Sequence, residues 1–217
     1  MRKTIANRMR LSLDTAAQAS HRMRIDMTSL MGARTGYNEL HPDERLSVTD
    51  ILAASLCQAV SKNPGVNSAL IDNEIVTYEQ INIGVAMAME NGLVVPVVKN
   101  CAGKSMEEIS REIKELAKKV KERSFSMAEI SGSTITLTNL GMYGLDGFTA
   151  ILNPPESVII AVGATKKAPV VIDGQIVVRD MCEFTVTYDH RVLDGAPVAQ
   201  FFADFRDVIE GLNAICC

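Results

Sequence analysis

Two short acidic turns do most to decide what this chain can fold into. Asp72-Asn73-Glu74 lies between the apolar stretches Val66 to Ile71 and Ile75 to Tyr78, and Asp173-Gly174 lies between Val170-Val171-Ile172 and Gln175 to Val178. Small polar residues between two β-branched runs signal a hairpin. Strands joined this way pair antiparallel, whereas parallel neighbours need a long crossover. Further strands are predicted over Ser20 to Asp26, Ile81 to Met89, Leu93 to Val98, Ser133 to Thr138, Ser157 to Gly163 and Cys182 to Tyr188. About five helices intervene. Lys3 to Ala17 places Ile5, Met9 and Leu13 on one face, and Thr28 caps a helix to about Gly36. Tyr37 to Arg45 reads as a polar loop. Ser47 and Thr49-Asp50 start an apolar helix through Val60, which Asn63-Pro64-Gly65 stops. Ser105 to Glu108 is a capping box opening a helix to about Arg123, and Pro197 to Leu212 is the last helix. The pattern is α+β: a two-layer sandwich of a mixed sheet with flanking helices rather than a doubly wound sheet. No repeat or linker divides it, so 1–217 is read as a single domain.

Composition narrows the function classes. The 217 residues are 47% hydrophobic and carry a formal charge of -4, which argues against nucleic acid as a partner. No apolar run approaches the ~20 residues that a membrane helix needs, so no membrane partner is expected. The cysteines are Cys57, Cys101, Cys182, Cys216 and Cys217, an odd number without CxxC spacing. Neither a disulfide framework nor a zinc site is suggested, and a reducing, cytoplasmic location is expected. Cys216 and Cys217 read as exposed and oxidisable. His21 and His41 have no metal-ligand spacing, so no metal is assigned.

Chemistry concentrates in Tyr188-Asp189-His190-Arg191-Val192-Leu193-Asp194-Gly195. A strand delivers His190, flanked by carboxylates, to a turn. Imidazole titrates near neutrality, so it can take and return a proton. The plain alternative is a solvated turn in which Asp194 caps the following helix. In Ser133 to Thr138, a period of two puts Thr134, Thr136 and Thr138 on the face away from Ile135 and Leu137. Such threonines usually serve strand formation alone; the other reading is that Thr138 offers a hydroxyl where its strand ends. Gly141 to Gly147 is glycine-rich, but it has neither the dinucleotide nor the phosphate-loop spacing and reads as a turn.

Six segments in order resemble the catalytic domain of dihydrolipoamide acyltransferases, the core components of 2-oxo acid and acetoin dehydrogenase complexes. They are Met1 to Met9, Ile81 to Ala86, Gly92 to Val98, Thr138 to Gly144, Asn153-Pro154-Pro155-Glu156 and Asp189 to Gly195. The resemblance implies a fold of the chloramphenicol acetyltransferase type and a homotrimer with active sites between subunits. It also implies coenzyme A as a substrate and a lipoyl group supplied by another domain or chain. His190 then takes the place of the general base, Thr138 that of a hydroxyl (usually serine) from the neighbouring subunit, and Asp194 that of an anchoring aspartate. Arg2, Lys3 and Arg8 are candidates for coenzyme A phosphates, with Arg8 also a candidate partner for Asp194.

The implied reaction is thioester exchange, with acetyl as the expected group and other subunits of the complex as further partners. Three departures stand out. Threonine replaces serine at 138, no lipoyl or subunit-binding domain precedes Met1, and Leu212 to Cys217 lacks the leucine-rich tail through which family trimers join into cages. Two rivals share the fold: an enzyme acetylating a small hydroxyl compound, and a non-catalytic scaffold core of a dehydrogenase complex. The retained His190 and the hydroxyl of Thr138 favour catalysis over the scaffold.

Overall fold

The computed structural model describes residues 2–90 and 92–212. Helix α1 (Arg2–Thr15) leads into strand β1 (Gln18–Asp26), followed by α2 (Thr28–Leu40) and α3 (Val48–Lys62). Six short strands come next: β2 (Ser68–Ile71), β3 (Glu74–Thr77), β4 (Ile83–Val85), β5 (Met87–Met89), β6 (Gly92–Val94) and β7 (Val97–Val98). Helix α4 (Met106–Glu122) separates them from β8 (Ile135–Asn139), β9 (Val158–Val162), β10 (Lys166–Ile172) and β11 (Gln175–Asp189), and α5 (Gly195–Glu210) closes the order.

The main sheet runs β1-β11-β9-β8-β4-β7, with β10 also paired to β11. The pairs β4–β8 and β8–β9 are parallel and the remainder antiparallel, so the sheet is mixed. Both hairpins form as expected, one as β2–β3 and the other as β10–β11. The core lies between the sheet and the helices. Phe184 on β11 meets Phe205 on α5 edge-on at 5.8 Å, with Phe201 and Phe202 fully buried beside them. The architecture is the α+β fold of a mixed sheet with flanking helices.

Several boundaries differ from the sequence reading, each for a local reason. The stretch Ile81 to Met89 divides into β4 and β5 because the bond from the Ala86 N–H to the Leu137 carbonyl is the last one along β8, and Met87 to Met89 pair with β6 instead. Leu93 to Val98 divides likewise around Pro96, which has no N–H to give a ladder. Helix α2 runs through Tyr37 to Leu40, where a loop was expected. Asn38 ties its end down by accepting from the Leu46 N–H and donating to the Leu46 carbonyl. Thr28 does not cap α2; its hydroxyl accepts from the Asp180 N–H, while Asp26 Oδ1 accepts from the N–H of Thr28 at 2.9 Å. Strand β11 is continuous through Arg179-Asp180 because β10 pairs its first half and β1 its second.

Candidate active site

Asp189 ends β11 and builds the turn that presents His190. Its carboxylate accepts from the N–H groups of Ala17 and Arg191 and from the Arg191 guanidinium, at 2.7 Å for the closest contact. Burial pushes this carboxyl up, but the Arg191 bonds together with the backbone N–H of Ala17 hold it below the usual range. The carbonyl of Asp189 then accepts from Val192 and Leu193, and the His190 N–H donates to Ala17. The backbone on the strand side of His190 is therefore fixed, while its ring is half-exposed. His190 Nδ1 stands 3.8 Å from Asp194 Oδ1, ion-pair range rather than a hydrogen bond.

Asp194 occupies the cap position of α5 as expected, yet its side chain makes no cap bond. The third helical residue is Pro197, which has no N–H to donate. The Asp194 carboxylate is 86% exposed and stands in ion-pair range of His190. The expected Arg8 partnership is not made within the chain: Arg8 donates to the Pro154 carbonyl at 2.9 Å.

Thr138 sits elsewhere. It lines a cavity of about 640 Å³ with Val85, Met87, Ile113, Val120, Asn139 and Met142 among its walls. The threonine face leading into β8 is buried rather than solvated, since Thr134, Thr136 and Thr138 are all buried. Gly84 on the neighbouring strand allows this, because a Cβ there would stand 2.7 Å from Val95 and 2.8 Å from the Thr136 hydroxyl. Asn139 links the cavity to α3 by donating to Thr49, and its Oδ1 accepts from Gly141. In the glycine-rich 141–147 segment, a Cβ at Gly141 would stand 2.5 Å from the Gly163 carbonyl, while Gly144 is left-handed with a φ of 77°.

Sheet register separates the two halves of the predicted site. Thr138 aligns with Ala161 and Ala161 with Thr185, so His190 lies five residues further along β11. At ~3.3 Å per residue that is about 16 Å along the strand, besides two strand spacings of ~4.8 Å across the sheet. One chain does not bring His190 and Thr138 together. Arg2, Lys3 and Arg8 are exposed on α1, and none of them is among the residues lining the cavity beside Thr138.

Sequence reasoning missed Glu156. It is buried beside the start of β9, accepting from Ser133 and, at 2.7 Å, from Asn153 Nδ2. Burial pushes its carboxyl up to about 7, against the pull of the Ser133, Thr136 and Asn153 side chains and the more distant Arg8 charge. A glutamate between two prolines and an apolar strand was the available signal. Cys57, Cys101 and Cys182 are buried free thiols; Cys216 and Cys217 lie outside the described residues. No helix among the described residues is long and apolar enough to cross a membrane.

Comparison with known proteins agrees with this architecture. Relatives include the dihydrolipoyllysine-residue acetyltransferase component of the Rickettsia felis pyruvate dehydrogenase complex, 37% identical over 97% of this chain and 52% of that protein. The corresponding component of the Bacillus subtilis acetoin cleaving system is 38% identical over 97% of this chain and 54% of its own length. A Bartonella vinsonii succinyltransferase component of a 2-oxoglutarate dehydrogenase complex is 33% identical, again over 97% of this chain and 52% of that protein. The chain thus spans about half the length of the curated relatives it matches.

Among solved structures, a probable dihydrolipoamide acetyltransferase from Listeria monocytogenes superposes with a TM-score of 0.92 at 32% identity, covering 97% of this chain and 92% of that one. The Azotobacter vinelandii dihydrolipoamide acetyltransferase gives 0.93 at 27% identity, over 99% and 90%. A chloramphenicol acetyltransferase shares the fold at a TM-score of 0.59 and 14% identity, over 94% of each chain. The family model for the 2-oxoacid dehydrogenases acyltransferase (catalytic domain) matches residues 1–217, and the chain belongs to that family.

Proposed function

We propose that this domain transfers an acyl group, acetyl in the first instance, between dihydrolipoamide and coenzyme A. The observation that carries the reading is the division of the site. A buried hydroxyl faces a large cavity at one end of the sheet, and a half-exposed imidazole stands on a rigid turn at the other. Each is incomplete alone. A homotrimer in which Thr138 of one copy meets His190 of the next completes the site. The Azotobacter vinelandii structure was determined to test a serine, a histidine and an asparagine in that enzyme's mechanism, the last two standing four positions apart. His190 and Asp194 have the same spacing here.

In the proposed reaction His190 takes the proton of the attacking thiol, whose own pKa of ~8.5 leaves little thiolate at neutral pH. Sulfur adds to the thioester carbonyl, and the Thr138 hydroxyl donates to the oxyanion that forms. Such a donor is worth roughly 3 kcal/mol in comparable sites. Collapse breaks the original C–S bond, and the departing thiolate recovers the proton from His190. The Asp194 carboxylate stands 3.8 Å from Nδ1 of that ring throughout. Coenzyme A and the lipoyl arm are both substrates, the latter delivered by another domain or chain. Arg2 and Lys3 are exposed and available to phosphates, while Arg8 is already engaged with Pro154.

The acetyl reading rests on the pyruvate and acetoin relatives and on the largely apolar wall of the cavity. Its two cations, Lys121 and Arg123, stand at the end of α4, with Arg123 paired to Glu90 at 2.6 Å. Turnover of acetyl-CoA and succinyl-CoA with free dihydrolipoamide tests it, with His190→Ala in parallel. Acetyl transfer that falls roughly 10²–10⁴-fold in the variant is expected. Faster succinyl transfer would reassign the acyl group. A folded protein that transfers neither would overturn the reading.

A further inference from the structure

We propose that His21 is a positioning residue for the reaction, holding the turn that carries His190 and Asp194; this rests on the acyltransferase reading above. His21 lies on β1, opposite Val186 of β11. Its Nε2 stands 3.2 Å from the carbonyl oxygen of Gly195, the residue after Asp194. A carbonyl only accepts, so Nε2 carries the proton and donates it.

The turn needs such a support on its downstream side. Upstream, Asp189 and the Ala17 carbonyl fix the backbone at His190. Downstream, Asp194 makes no cap bond, Pro197 has no N–H, and the first helical bond, from Val198 to the Asp194 carbonyl, is long at 3.4 Å. The backbone that sets the Asp194 carboxylate against His190 is thus held from outside the turn, by a side chain 174 positions away in sequence.

A second contact acts on the imidazole itself. The His21 ring lies 5.0 Å from the Tyr188 ring, and Tyr188 lies 5.6 Å from the His190 ring, both pairs tilted. Tyr188 is buried, so it transmits the position of one imidazole to the other through packing. Gly195 admits this arrangement: a Cβ there would come within 3.3 Å of the Tyr188 hydroxyl and 3.5 Å of His21 Nε2. His21 therefore touches both the backbone next to Asp194 and the ring next to His190. It makes no contact with the reacting atoms and acts through those two groups.

The test compares His21→Phe, which keeps a ring but loses the donor, with His21→Gln, whose amide nitrogen reaches the same place. Steady-state acetyl transfer is read together with imidazole NMR. The chain has three histidines, so His190→Ala assigns the His190 signals directly. The expected result for His21→Phe is a kcat lowered tenfold to a hundredfold, the scale on which misplacing a catalytic group acts. The KM for each substrate stays within about twofold, the signals of His190 shift, and His21→Gln recovers most of kcat. Wild-type kcat and unshifted His190 signals in His21→Phe would overturn the proposal. If the wild-type protein transfers no acyl group, the acyltransferase reading fails separately. The NMR arm then decides alone: shifted His190 signals in a folded His21→Phe support the positioning role, and unshifted ones refute it.

Discussion

Glu156 is a carboxyl that the fold keeps in its neutral form to an unusually high pH. Its carboxyl is pushed up to about 7 by burial, well above the ~4.3 of an unfolded chain. Below the unfolded value both states hold the proton and folding carries no penalty. As pH rises toward 7 the unfolded chain releases its proton first, so stability falls across that window and levels off above it. Glu156→Gln retains acceptors for Ser133 and Asn153 and has no charge to bury. The variant is expected to melt close to wild type near pH 4.5 and above it at pH 8, as scanning calorimetry across that range would show. A difference independent of pH would mean that Glu156 titrates alike in the folded and unfolded chain. The sequence hid this residue, because a glutamate after two prolines looks like a loop charge until Ser133, 23 positions away, is seen to close over it.

Elements differ in how far their own residues specify them. Helix α4 was legible almost to the residue because its signals are local. Ser105 and Glu108 exchange both bonds of the capping box, and Arg123 ends the helix in a left-handed conformation. Strands β4 and β5 were not legible as two, since the break reflects a change of partner, from β8 far along the chain to β6. The turn at His190 shows the same division. His190 follows from its strand and motif, while the missing cap at Asp194 follows from Pro197 and the support of Gly195 from distant His21.

Close packing between elements carries its own expectation. A Cβ at Gly163 would stand 2.0 Å from the backbone oxygen of Asp146, where the 141–147 segment crosses the end of β9. Gly163→Ala is therefore expected to cost about 1–3 kcal/mol, as overpacked sites do, measured by urea unfolding. A neutral result would show that the crossing segment yields.

At the scale of the whole molecule, apolar side chains remain on the outside of the single chain. Ile176 and Val178 on β11, Leu11 and Leu13 on α1, and Met142 and Tyr143 near the cavity are all more than half exposed. The proposed trimer would offer such side chains neighbours that the single chain does not. The division of the site makes that assembly testable. His190→Ala and Thr138→Ala are each expected to be nearly inactive alone. Co-expressed in equal amounts, they should recover about a quarter of wild-type activity, because random mixing in a symmetric oligomer pairs an intact histidine with an intact threonine at that frequency. Were both groups to act within one chain, mixing would restore nothing.

The distance along β11 between Thr138's level and His190 therefore reaches beyond geometry. If copies complete the site as proposed, a chain that owns two unfinished halves has no turnover of its own to lose gradually. Its specific activity would obey mass action, holding steady while protomers stay associated and collapsing on dilution below their dissociation constant. Cellular abundance then governs not only how much catalyst exists but what fraction of it is a catalyst at all.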